Sequence, residues 1–132
     1  MSDSAVFWAD LQEDLQDPEF RRAFVLETMR IAATDDIVNA FDEARERAGI
    51  TKADLARAIG IEPASIRRLF STGSPNPTIG TLTDIATALG LRITVEPLPS
   101  ADRRIIADAL TDSTAAPTPD FIRLMEARTS AV

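Results

Sequence analysis

The stretch TKADLARAIGIEPASIRRLFSTG, residues 51–73, constrains the fold more than any other part of the chain. Thr51 and Asp54 stand three residues apart, the spacing of a capping box, and open the helical pattern TKADLARAI. Gly60 stops that helix at a turn, where a left-handed backbone costs little only for glycine. Glu62-Pro63 starts a second short helix that carries Ile66, Leu69 and Phe70. Ala56 falls where the two helices must cross closely and needs a small side chain. Leu55, Ile59, Ile61, Ile66 and Leu69 then point into one shared core. Two short helices joined in this way are the sequence form of a helix-turn-helix, whose second helix lies in the major groove of DNA.

The flanks extend the helical pattern. Ile37, Phe41, Ala44 and Ala48 mark one face of a helix that ends at Gly49. Thr78 caps a further helix with Ile79, Leu82, Ile85, Ala86 and Leu89 on its inner side, closed by Gly90. In LRITVEP, alternation and β-branching predict a strand from Leu91 to Glu96. A strand pairs by default inside its own domain, but its surroundings here read as helical. Its backbone groups would then pair with a second chain, making Leu91, Ile93 and Val95 a dimer strand.

Charge bears on what this region can meet. The chain carries a formal net charge of −7, yet Arg67 and Arg68 sit in an acid-free run from Pro63 to Thr83. Two arginines on a helix are by default a solvated face. The acid-free surroundings, the glycine turn and small Ala56 together favour DNA contact, because binding depends on the local face that meets phosphates. An arginine there can bond bidentately to guanine O6 and N7, or hold a phosphate.

The acidity belongs mostly to residues 1–36, which hold nine acids and three arginines. Three parts are expected: an acidic helical arm at 1–34, a compact domain at 35–97 and a tail at 98–132. In the arm, Phe7, Trp8, Leu11 and Leu15 line one side of a short helix. Asp17-Pro18-Glu19 starts another, with Phe20, Ala23, Phe24 and Ile31 at helical spacing. These aromatic residues dock either on the chain's own core or on a partner. Pro97 stands just before the tail, which has prolines at 99, 117 and 119 and two short helices with thin apolar stripes expected around 101–110 and 120–128.

Several classes of function fall away. With no cysteine and no histidine, disulfides are excluded, a zinc site is not expected, and the commonest general base is missing. There is one lysine and no glycine-rich phosphate loop, and 132 residues leave no room for a second, self-cleaving β-rich domain. No enzymatic activity and no cofactor are expected. MSDSAVFWADLQEDL has neither a basic nor an apolar leader region, and no apolar run approaches the ~20 residues of a membrane span. A soluble, cytoplasmic protein without a membrane partner is expected.

Residues 37–90 resemble the lambda-repressor-like, or Xre-family, helix-turn-helix domain. SPNPTIGTLTDIATALGLRITVEP resembles more narrowly the HigA-type antitoxins of addiction modules, and LQDPEFRRAF is similar to an arm found ahead of such domains. The resemblance covers about residues 15–97. It implies an all-α helix-turn-helix bundle with an N-terminal helical arm, one short C-terminal strand and a weakly structured tail. It further implies a homodimer that binds a double-stranded DNA operator, neutralises a RelE/HigB-like ribonuclease toxin and represses its own operon. By position, Lys52 stands where the family usually has a phosphate-binding glutamine. Pro63, Ala64 and Arg68 take the base-facing places, with Glu62 at the rim and Arg67 beside them. Ser65, Ser74 and Asn76 fall where backbone-positioning contacts are expected. Pro63 and Ala64 depart from the polar residues often found there, which shifts specificity towards Arg68 and DNA shape. The toxin-facing reading of the arm involves Phe7, Trp8, Leu11, Phe20 and Phe24. The alternative is a free-standing Xre-family regulator, such as a prophage or restriction-system controller, with no toxin partner.

Overall fold

The computed structural model describes residues 3–71, 76–112, 114 and 117–129, the side chain of Ser4 excepted. Among the described residues seven α-helices follow one another: α1 (Asp3–Asp14), α2 (Pro18–Ala48), α3 (Lys52–Ile59), α4 (Pro63–Leu69), α5 (Ile79–Ala88), α6 (Ser100–Thr111) and α7 (Pro119–Thr129). They form two compact units, one of residues 33–95 and one of residues 1–32 with 96–132.

In the unit of residues 33–95, α3 opens with the expected cap. The Thr51 side chain accepts from the Asp54 N–H at 3.0 Å. Gly60 ends the helix at φ 75°, and Ile61 N–H reaches back to the Ala56 carbonyl at 3.0 Å. That pair of features is a Schellman stop, in which the left-handed residue lets two orphan carbonyls be satisfied. α4 follows after three residues, Gly60, Ile61 and Glu62, with Pro63 in its first turn. The core holds Phe41, Leu55, Ala56, Ile66, Leu69, Ile85 and Ala86, all buried, with Ile59, Ile61, Phe70 and Leu82 packed against them. Ala56 is fully buried, in keeping with a close crossing of α3 over its neighbours.

The other unit is built from both ends of the chain. α1, the first part of α2, α6 and α7 enclose Trp8, Leu15, Val25, Ala109, Phe121, Ile122, Leu124 and Met125. Asp17 accepts from the Glu19 N–H at 3.1 Å, so α2 starts at Pro18 with the predicted cap. Arg21 is buried and donates from Nη1 to the Leu15 carbonyl and from Nη2 to the Asp112 carbonyl, each at 3.0 Å. Arg22 donates to the Leu110 carbonyl at 3.1 Å. These two arginines therefore meet the carbonyl-rich ends of α1 and α6, where a cation is favoured.

Two expectations need correction. Among the described residues there is no β-strand, and Leu91–Glu96 is irregular backbone. A strand needs a ladder partner, and no other described segment offers one; Leu91 N–H bonds instead to the Ala86 carbonyl at 2.7 Å, completing the stop of α5. Leu91, Ile93 and Val95 are left exposed at 40, 38 and 99 %. The tail, in turn, is not weakly structured across its described residues. α7 buries Phe121, Ile122, Leu124 and Met125, a wide face rather than a thin stripe.

Candidate nucleic-acid interface

α4 is fixed from beneath by Ile66 and Leu69, which sink into the core. Arg67 and Arg68 lie between them in sequence, so helical geometry turns both outward, and both are exposed. Glu62 and Ala64 are exposed on the first turn, while Pro63 and Ser65 are half-buried. Glu62 occupies the N-cap position without capping through its side chain, which leaves its carboxylate available at the rim.

The arginines of this helix differ electrostatically from Arg45, Arg57 and Arg123, and among the described residues share their lack of an ion pair with the exposed Arg92, Arg103 and Arg104. Arg45 is paired with Asp42 at 2.9 Å, and Arg57 and Arg123 bond to Asp54 and Asp120 one turn away. Among the described residues, neither Arg67 nor Arg68 meets a carboxylate. Arg68 donates only weakly, from Nη2 to the Ser65 hydroxyl at 3.3 Å. An exposed guanidinium without a counter-ion keeps its full charge and donor fork for an outside anion.

Arg68 and Ser65 also line a cleft of about 340 Å³ with Ile61, Leu69, Asn76, Pro77 and Thr81. The structure thus brings together three of the sequence-predicted residues, Ser65, Arg68 and Asn76. Ser74 lies outside the described residues. Thr81 and Pro77 escaped the sequence reading, although Thr81 stands three residues after Thr78 and donates its N–H to the Thr78 hydroxyl at 3.1 Å. The cleft offers hydroxyl, amide and guanidinium groups at the start of α5, a setting suited to a phosphate oxygen.

Lys52 is placed differently from a free phosphate clamp. It is the first residue of α3, and its Nζ lies 5.9 Å from the centre of the Phe70 ring. The ammonium is therefore already engaged by the ring face, though its remaining donors can still turn outward. Nearby, Asp54 is held below the ordinary carboxylate range, first by its hydrogen bond with the Thr51 side chain, which outweighs an opposing desolvation, and further by the Thr51 backbone and Arg57. The charge at this cap is thus secured at the positive end of α3.

Residues 42–95 match a family model described as helix-turn-helix. This segment is an Xre-family helix-turn-helix domain. The match ends at Val95, where the compact unit of residues 33–95 also ends. Comparison with curated proteins and with solved structures gives no match. Within the matched segment, α3 and α4 are the two helices that Gly60 joins through a tight turn. Among the described residues no helix is long and apolar enough to cross a membrane.

The residues read as toxin-facing lie in the other unit and are divided. Trp8 is buried in its core, and Leu11 and Phe24 pack against that core, half-buried. Phe7 and Phe20 remain exposed, at 55 and 38 %.

Proposed function

We propose that this protein is a sequence-specific transcription regulator that seats α4 in the major groove of a double-stranded operator. The observation that carries the reading is the exposed, carboxylate-free pair Arg67 and Arg68 on the second motif helix. Arg68 reads a guanine, Ala64 and Pro63 touch thymine methyls, and Ser65 and Asn76 set the backbone register. Lys52 adds a phosphate contact of the point-charge kind. A recognition helix of seven residues gives little specificity alone, so the protein acts as a homodimer on half-sites about 34 Å apart.

The regulator is, on this proposal, an antitoxin that also captures a RelE/HigB-like ribonuclease and represses its own operon. The support is the resemblance of SPNPTIGTLTDIATALGLRITVEP to such proteins, together with the acidic first segment, which suits a basic partner. A free-standing regulator is the second reading, favoured by the investment of Trp8, Leu11 and Phe24 in the chain's own core.

The test is to select operators from random duplexes with the full chain, then titrate wild type and Arg68→Ala against selected and scrambled DNA. Arg68→Ala should lose about 1–3 kcal/mol on the selected site and relax preference at one base pair. Equal loss on both duplexes would make Arg68 a phosphate clamp; no loss on either would remove α4 from the groove. Co-expression with the product of the neighbouring reading frame separates antitoxin from free-standing regulator, since only an antitoxin restores growth.

A further inference from the structure

Four aromatic rings near the start of the chain form a continuous ladder. Phe7 meets Trp8 edge to face at 5.6 Å between centroids, and Trp8 meets Phe24 likewise at 6.0 Å. Phe24 stacks on Phe20 at 6.3 Å. The middle of the ladder is anchored, because Trp8 is buried and Phe24 half-buried. Its two ends, Phe7 and Phe20, are exposed, and Val6, Leu26 and Ile31 are exposed in the same unit.

Sequence spacing places acids along the same edges. On α1, Asp3, Phe7, Asp10 and Asp14 fall at i, i+4, i+7 and i+11. On α2, Phe20, Phe24, Glu27 and Ile31 repeat that spacing. Such positions share one side of a helix. The α1 row therefore sets three carboxylates beside Phe7, whereas the α2 row is mainly apolar and its one carboxylate, Glu27, is paired with Arg30. Residues 1–32 hold seven acids against three arginines. Of the three, Arg21 is buried, Arg22 is bonded to a carbonyl of α6, and Arg30 is paired with Glu27.

We infer that this aromatic edge is a docking surface for a basic amphipathic helix of a partner protein. The occupant must be apolar to cover Phe7 and Phe20, and cationic to meet Asp3, Asp10 and Asp14. Lysine or arginine heads can also lie over the exposed ring faces. A helix fits because its apolar stripe, at helical period, can cover Phe20 and Ile31 of the α2 row while a cationic flank meets the carboxylates of the α1 row. Nucleic acids and anionic lipid surfaces are repelled by the same carboxylates. The inference rests on the partner-capture half of the proposed function and is independent of its DNA-binding half.

The experiment uses the full chain and a 20-residue synthetic helix with a leucine stripe flanked by lysine and arginine. Trp8 is the single tryptophan and touches both Phe7 and Phe24, so its fluorescence reports binding directly. The basic peptide should bind saturably and shift the Trp8 emission. A matched peptide with glutamate in place of every basic residue should not. Phe7→Ala with Phe20→Ala should weaken binding about tenfold or more, as loss of buried aromatic anchors does. Asp10→Asn with Asp14→Asn keeps the rings and should weaken binding about threefold while flattening its salt dependence. Circular dichroism confirms that each variant is folded, and operator titration should give wild-type DNA affinity for both. Binding of the acidic peptide as tight as that of the basic one overturns the inference. So does an unchanged affinity in either folded variant, or no binding of the basic peptide to the wild type. Failure of wild-type DNA binding would instead strike the DNA reading alone.

Discussion

Gly60 and Gly80 should respond to the same substitution with opposite sign. Gly60 holds the turn between α3 and α4 at φ 75°, and a Cβ built there meets no atom within 4 Å. Gly60→Ala therefore costs only the left-handed backbone, about 1–2 kcal/mol. At this chain length that lowers Tm by about 4 °C per kcal/mol. Gly80 lies within α5, outside the positive-φ region, and an added Cβ would sit 3.8 Å from the Thr78 Oγ, ordinary contact. Gly80→Ala should raise stability by about 0.5 kcal/mol, through helix propensity and a less flexible unfolded chain. Urea unfolding of both variants, followed by circular dichroism, checks the pair. A stabilising Gly60→Ala, or a loss above about 3 kcal/mol, would contradict a turn that is strained in backbone and open in space.

Arg21→Ala removes two charged donors, one from the buried Leu15 carbonyl and one from the partly buried Asp112 carbonyl, and should destabilise the unit that joins the two ends of the chain by about 2 kcal/mol; a urea midpoint unchanged from wild type would refute this. Lys52→Ala should weaken binding to all duplexes alike, reduce the salt slope by about one counter-ion per subunit, and cost about 0.5–1 kcal/mol of stability through loss of the Phe70 contact. For Asp54, whose folded pKa is depressed, the contribution to stability is complete above the ordinary carboxylate range and is lost as pH falls through the lowered value. Asp54→Asn should accordingly flatten the acid limb of a stability-against-pH curve, measured by urea unfolding at stepped pH.

What could be read from the sequence was mostly what is settled locally. The Thr51–Asp54 cap, the Gly60 stop and the burial of Ile66 and Leu69 depend on neighbours within a turn or two, and the structure has them all. The Leu91–Glu96 strand failed for the converse reason. Alternation and β-branching state a preference, but a ladder requires a second segment that the described chain does not supply. The burial of α7 was missed because Phe121 and Met125 pack with Trp8, Leu15 and Val25 from the far end of the sequence. Arg21 and Asp112, 91 residues apart, show the same blindness to long-range contact. Around the interface, outward placement of Arg67 and Arg68 followed from their position beside core residues. The seat of Lys52 on Phe70 did not, because it depends on how α3 and α4 cross.

The central claim is that the exposed face of α4 lies in the major groove with Arg68 against a guanine. Methylation interference reads this directly, since methylation at guanine N7 blocks major-groove bonds and leaves the phosphates intact. On a selected operator, wild type should show one strong guanine N7 interference in each half-site, and Arg68→Ala should lose that interference while keeping any others. An identical interference pattern for the two proteins would contradict the account.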